Sequence, residues 1–151
     1  MFSIREIIDM AIKIEKNAEM FYRQAVEKIS TPSLEPVLKC LADQEEQHAQ
    51  WFEKLKRVIG EVEAKVDSEE LSGTALGNLV GDQTFSLGEV DFSEIKDVEN
   101  LIALAIEHEK DTIIFYQMLQ SFIETPETLK ELDDIIAEEH RHIEMLNECR
   151  F

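Results

Sequence analysis

The chain has 151 residues, enough for one domain with a single core, and its 44% hydrophobic and 32% charged residues describe a globular protein rather than a disordered one. Its 33 acidic against 15 basic residues leave a net charge of −18, which excludes phosphate backbones and anionic membrane surfaces as partners and attracts cations. No apolar run approaches the length of a membrane span and the opening MFSIREIIDM carries acids too early for a secretory leader, so the expected location is the cytoplasm.

Ser3 and Glu6 have capping-box spacing, and Ile4, Ile8, Ala11, Glu15, Ala18, Tyr22, Ala25 and Ile29 recur in steps of four and three, which predicts a helix over about 3–30. That stripe contains one acid, Glu15, at mid-length. Thr31 and Pro32 supply an N-cap and a first-turn proline for a second helix over about 32–59, with the stripe Leu38, Leu41, Glu45, His48, Phe52, Leu55 and Ile59. Glu45 and His48 lie three residues apart and therefore on one helix face, pointing where the apolar residues point. A carboxylate and an imidazole are costly to bury without a counter-charge.

All five glycines (Gly60, Gly73, Gly77, Gly81, Gly88) fall within about 60–96, which reads as a long connection with room for a short helix. Loops of this length need a reason in a compact domain. Geometry offers one: if the third helix runs parallel to the second, the chain must travel back along the bundle, about 38 Å for a helix of 25 residues. The third helix is predicted over about 97–123, with the stripe Val98, Ile102, Ala105, Glu109, Thr112, Tyr116, Leu119 and Ile123. Thr125 and Pro126 open a fourth over about 126–149, with Leu132, Ile135, Glu139, His142, Leu146 and Cys149. The chain stops at Phe151, with no length for a fifth helix. Cys40 and Cys149 stand far apart without CxxC spacing and are read as small apolar residues, not as a disulfide or a cysteine metal site. The expected architecture is one all-α domain, an antiparallel four-helix bundle with a long crossover between helices 2 and 3.

An internal repeat links the two hairpins. At a constant offset of 94 residues, Glu15 maps to Glu109, Lys16 to Lys110, Phe21 to Phe115, Tyr22 to Tyr116, Thr31 to Thr125, Pro32 to Pro126, Glu45 to Glu139 and His48 to His142. The match is visible in IEKNAEMFY against HEKDTIIFY. It also separates Glu45 and Glu139 from their neighbours Glu46 and Glu138, because only the former pair shares both the offset and the step to histidine. In each hairpin the first glutamate lies 16 residues before the threonine and the second 14 after it, so at about 1.5 Å per residue both reach one level. Four carboxylates and two imidazoles in one buried layer require neutralisation, and a metal pair is the natural counter-charge. A single Glu-x-x-His is a common surface couple; two in register with two further seam glutamates form a specific pattern.

This ligand pattern, one Glu from each of two helices and Glu-x-x-His from each of the others, resembles the rubrerythrin and ferritin-like di-iron carboxylate family across all four helices. The resemblance implies that Glu45 and Glu139 bridge two iron ions, with manganese the alternative, that Glu15 and His48 complete one metal, and that Glu109 and His142 complete the other. It implies that Tyr22 and Tyr116 hydrogen-bond ligating carboxylates. It further implies a non-haem oxidoreductase acting on peroxide or dioxygen, fed by a separate electron-donor protein because no rubredoxin-type CxxC pair is present, and assembled as a homodimer. Thr112 stands where rubrerythrins usually carry another glutamate. The alternative functions are ferroxidase or iron storage, made less expected by the missing fifth helix, and a metal-free scaffold. His108 and His140 are read as non-ligands, His140 as the more solvent-facing of the two. Trp51, one residue off the seam, is read as packing. Glu19, Glu46, Glu107 and Glu138 are left between the outer faces and the surroundings of the ligands, and Asp111 stays open.

Overall fold

The computed structural model describes residues 2–29, 31–59, 65–66, 92, 95 and 97–149. Four long helices account for most of them: α1 (Ile4–Lys28), α2 (Glu35–Ile59), α3 (Val98–Gln120) and α4 (Pro126–Glu148). A two-residue antiparallel pairing of β1 (Phe2–Ser3) with β2 (Lys65–Val66) ties the start of α1 to the crossover. The rest of the crossover, including the five glycines and any short helix there, lies almost wholly outside the described residues.

The helix starts follow local chemistry. Ser3 closes a full capping box, its Oγ accepting from Glu6 N at 3.1 Å while Glu6 Oε2 accepts from Ser3 N at 2.9 Å. Asp97 Oδ1 caps α3 by accepting from Asn100 N at 2.8 Å. Two boundaries differ from expectation. The second helix begins at Glu35 rather than at Pro32: Thr31 O accepts from both Leu34 N and Glu35 N, making a tight turn, and Pro36 has no N–H to continue the α-helical bonding back to Pro32. The third ends at Gln120 rather than Ile123, because Ser121, Phe122 and Ile123 donate three residues back, to Met118, Leu119 and Gln120, and tighten the last turn before Thr125 and Pro126.

Contacts between helices set their directions. Asp9–Lys56, Lys16–Glu53 and Arg23–Glu46 run in opposite order along α1 and α2, so these are antiparallel. Trp51–Glu131, His48–Glu138 and Gln44–His142 make α2 antiparallel to α4, and Tyr22–Glu109 with Glu15–Tyr116 make α1 antiparallel to α3. It follows that α2 and α3 run parallel, diagonally opposed, which is what demands the long crossover.

The apolar core is divided in two. One half gathers Ile4 to Ile14 of α1 with Phe52, Leu55, Ile113, Tyr116, Leu132 and Ile135. The other gathers Ala18 to Ala25 with Leu38, Leu41, Leu101, Ile102 and Leu146. Phe92, from the crossover, stacks on Phe21 at 5.5 Å and covers this second half. Between the halves, at mid-length of all four helices, lies a polar layer.

Candidate metal centre

The layer consists of side chains that periodicity forces inward. Glu15, Glu45, Glu109, Glu139 and His142 have no exposed surface and His48 has 3%. All six residues expected from the repeat therefore meet. Their donor atoms fall into two groups, each with all atoms within 4.8 Å of one another: Glu15, Glu45, His48 and Glu139 in one, Glu45, Glu109, Glu139 and His142 in the other. Glu45 and Glu139 belong to both.

Both imidazoles turn Nδ1 toward the carboxylates. His48 Nδ1 lies 2.8 Å from Glu139, 3.5 Å from Glu15 and 3.6 Å from Glu45, and His142 Nδ1 lies 3.1 Å from Glu45 and 3.5 Å from both Glu109 and Glu139. The opposite nitrogens are anchored across the α2–α4 interface, His48 Nε2 on Glu138 Oε2 and His142 Nε2 on Gln44 Oε1, each at 2.5 Å. Anchoring Nε2–H in this way makes Nδ1 the nitrogen that faces the layer, the one that would ligate a metal ion once its proton is displaced. Tyr22 donates to Glu109 Oε1 at 2.7 Å, and Tyr116 donates to Glu15 Oε1. The repeat thus appears as a twofold-like exchange in which each hairpin's tyrosine holds the other's glutamate.

Charge in the layer is uneven. Burial, then the charges of Glu109 and Glu15, push the Glu45 carboxyl well above its ordinary value, and burial with the charges of Glu109 and Glu45 does the same to Glu139. Burial also raises Glu109, but hydrogen bonding to His142 and Glu139 and the charges of His142 and His108 outweigh it and hold that carboxyl at about 2. His48 and His142 are lowered by burial and raised more strongly by the facing carboxylates. Burial, reinforced by Glu109 and Glu15 respectively, lifts both phenols and keeps them protonated as donors. Beyond their approaches to one another within the layer, Glu15 Oε2, Glu109 Oε2, both oxygens of Glu45 and Glu139, and both Nδ1 atoms have no further hydrogen-bond partner. Unmatched polar atoms in a dry interior are expensive, and here they converge. Four carboxylates with two imidazoles match the donor preference of iron or manganese, and two divalent cations would neutralise the four carboxylates.

A family model described as Rubrerythrin matches residues 6–149. The chain belongs to the rubrerythrin family. By structure it is similar to a candidate ferritin-like diiron-carboxylate protein from Thermotoga maritima, at 25% identity and a TM-score of 0.74 over 97% of this chain and 93% of that one. It is also similar to a hypothetical protein from Pyrococcus furiosus, at 24% identity and a TM-score of 0.71 over 97% and 87%, a likeness of fold. No curated protein matches the sequence.

The remaining polar residues sort themselves around this rubrerythrin-family layer. His140 is exposed, whereas His108 is 4% exposed, with Nε2 at 3.4 Å from Thr112 Oγ1 and Nδ1 without a partner. Burial lowers the His108 imidazole, against the charges of Glu109 and Glu15. Thr112 donates to His108 O at 2.9 Å, so its hydroxyl is committed to its own helix. Glu19 and Glu46 bind Arg23 on the surface, and Glu107 is exposed. Trp51 packs edge-on against Phe52 at 4.9 Å and donates to Glu131 at 2.9 Å. Sequence reasoning did not pair Gln44 and Glu138 with the histidines. The signal was present, since they map onto each other at the same offset of 94 and each precedes the Glu of a Glu-x-x-His.

Removing a phenol that holds a buried carboxylate takes away a charge-assisted bond, so Tyr22→Phe and Tyr116→Phe are each expected to destabilise the protein by about 1.5–3 kcal/mol. Urea midpoints at constant slope measure this. A loss below about 0.5 kcal/mol for both variants would show that the tyrosines do not hold the carboxylates.

Proposed function

We propose that this chain holds two iron ions, or manganese in their place, and reduces peroxide or dioxygen with electrons from a separate donor protein. The reading rests on the two four-donor groups that share Glu45 and Glu139. In it, Glu45 and Glu139 would serve both ions, Glu15 and His48 would hold one of them, and Glu109 and His142 would hold the other. An iron pair supplies two electrons at one place, which is what splitting peroxide into two waters, with two protons, consumes. The protein contributes everything else. Glu138 and Gln44 fix the imidazole tautomers, and Tyr22 and Tyr116 orient the terminal carboxylates while keeping phenolic protons beside them. The two apolar half-cores exclude bulk water from above and below.

Anaerobic reconstitution with ferrous iron tests the reading. Two irons per chain are expected, followed by repeated peroxide consumption when a chemical reductant is supplied. Uptake of no metal, or peroxide loss no faster than with free ferrous iron, would remove it. Thr112 favours a second reading, in which ferrous iron is itself the substrate and is oxidised at this centre, because the extra carboxylate associated with rubrerythrin peroxidases is replaced by a hydroxyl bound to its own helix. Iron accumulating beyond two per chain under air, without peroxide turnover, would decide for it.

A further inference from the structure

The six residues of the layer obey the internal repeat, but the residues behind the two histidines do not match. His48 Nε2 faces Glu138, a carboxylate, and His142 Nε2 faces Gln44, an amide, at the same distance of 2.5 Å. Gln44 and Glu138 occupy equivalent positions at the offset of 94, so the local geometry is repeated while the charge is not. The amide is also held in one orientation, because Gln44 Nε2 donates to Cys40 Sγ at 3.5 Å and leaves Oε1 for His142. Glu138 is 37% exposed, and its other oxygen lies 3.8 Å from Arg141, which partly offsets the carboxylate's charge.

A hydrogen bond from an imidazole N–H to a carboxylate pulls the proton outward and enriches the opposite nitrogen in electron density; a neutral amide oxygen does this less. We propose that this difference makes the two metal positions unequal: the one served by Glu15 and His48 fills first and holds its ion more tightly than the one served by Glu109 and His142. Glu138 and Gln44 are then positioning residues that set an order of loading. The inference rests on the reading of the layer as a two-metal centre. His108 and Thr112 also distinguish the Glu109 half, since Ile14 and Ala18 are their counterparts across the repeat. Exchange of Glu138 and Gln44 therefore carries the test, not inequality alone.

The test is an anaerobic titration of the metal-free protein with cobalt(II), following visible d–d absorption and heat. The wild-type protein is expected to bind two ions with dissociation constants about tenfold or more apart, the range that losing one outer hydrogen-bond partner produces at a metal site. Glu138→Gln should draw the constants together by weakening the first, and Gln44→Glu should do so by tightening the second. The double exchange should restore the inequality with the order of the two cobalt spectra reversed. Both single variants keep side-chain volume at partly exposed positions, and their far-ultraviolet dichroism checks that they fold. Two ions bound with equal constants in the wild type, or Glu138→Gln weakening both steps alike, would overturn the inference and leave the two-metal reading standing. No cobalt bound at all would overturn both.

Discussion

Replacing Glu45 and Glu139 together with leucine is expected to abolish metal uptake and, at the same time, to make the metal-free protein more stable at neutral pH. The two carboxylates are the members common to both four-donor groups, so their loss leaves each group with one carboxylate and one imidazole. Affinity should fall by well over the 10–100-fold that accompanies loss of a mere outer partner. The stability gain follows from the sign of the shifts. Both carboxyls have folded values above the ordinary 4.5, with burial as the first cause, so the stability they contribute is present below that value and is lost as pH rises through the folded value. At neutral pH they weigh against folding. What remains after the replacement is balanced, with Glu15 and His48 at 3.5 Å and Glu109 and His142 at 3.5 Å. Exchanging buried ionic groups for apolar ones of similar size commonly stabilises by about 1–4 kcal/mol, which here would raise the melting temperature by several degrees. Metal analysis after reconstitution and urea melts of the metal-free form read both parts. Two metals retained by the double variant, or a less stable metal-free fold, would defeat the expectation.

The second large effect is stabilisation by the metal itself. Cobalt(II) or ferrous iron at about a thousand times its dissociation constant adds about 4 kcal/mol for one site, which for a domain of this size is a rise of roughly 8–16 °C in melting temperature. The rise should shrink as pH falls from 7.5 toward 5. Glu45, Glu139, His48 and His142 all have folded values above their ordinary ones in the metal-free state, so an incoming cation displaces protons, and apparent affinity climbs with pH. The same four groups make the metal-free layer less favourable with rising pH, the carboxyls from about 4.5 and the imidazoles from about 6.5 upward. Glu109, held near about 2, contributes in the opposite window, losing its stabilisation as pH falls below 4.5, and the lowered His108 opposes the trend below 6.5 as a single group against four. Calorimetry in buffers of different ionisation heat counts the released protons. A metal-induced rise in melting temperature that is flat between pH 5 and 7.5 would contradict the charge distribution described.

Much of this was legible in the sequence because a helix has a fixed period and this chain uses it twice. Steps of three and four residues identify which side chains face inward, and the offset of 94 fixes their common height, so Glu15, Glu45, His48, Glu109, Glu139 and His142 could be named before any coordinates. The shortfalls have separate causes. Pro36 interrupts backbone bonding four residues after a proline that by itself looks like a helix start. The end of α3 is set by bonds three residues apart rather than by any loss of apolar pattern, since Ile123 stays buried beyond it at 9% exposure. The added burial on α3 comes from a helix that buries two adjoining faces, with Ile106, Ile113 and Phe115 inward as well as the predicted stripe, while His108 is buried and His140 exposed as expected. The pairing of β1 with β2 joins residues 62 or more positions apart through backbone atoms, and no side-chain pattern announces it. The partners of the histidines depend on how α2 and α4 are rotated against each other, which a periodicity within one helix does not encode.

The way the two donor groups are shared between the hairpins has a mechanical meaning. Each group takes three residues from one hairpin and a single glutamate from the other: Glu15, Glu45 and His48 borrow Glu139, and Glu109, Glu139 and His142 borrow Glu45. Neither half owns a complete set. A single hairpin of this chain supplies only three of the four donors of either group. An ion seated in either position would therefore act as a clasp between the halves, reporting that both hairpins have folded and found each other in register.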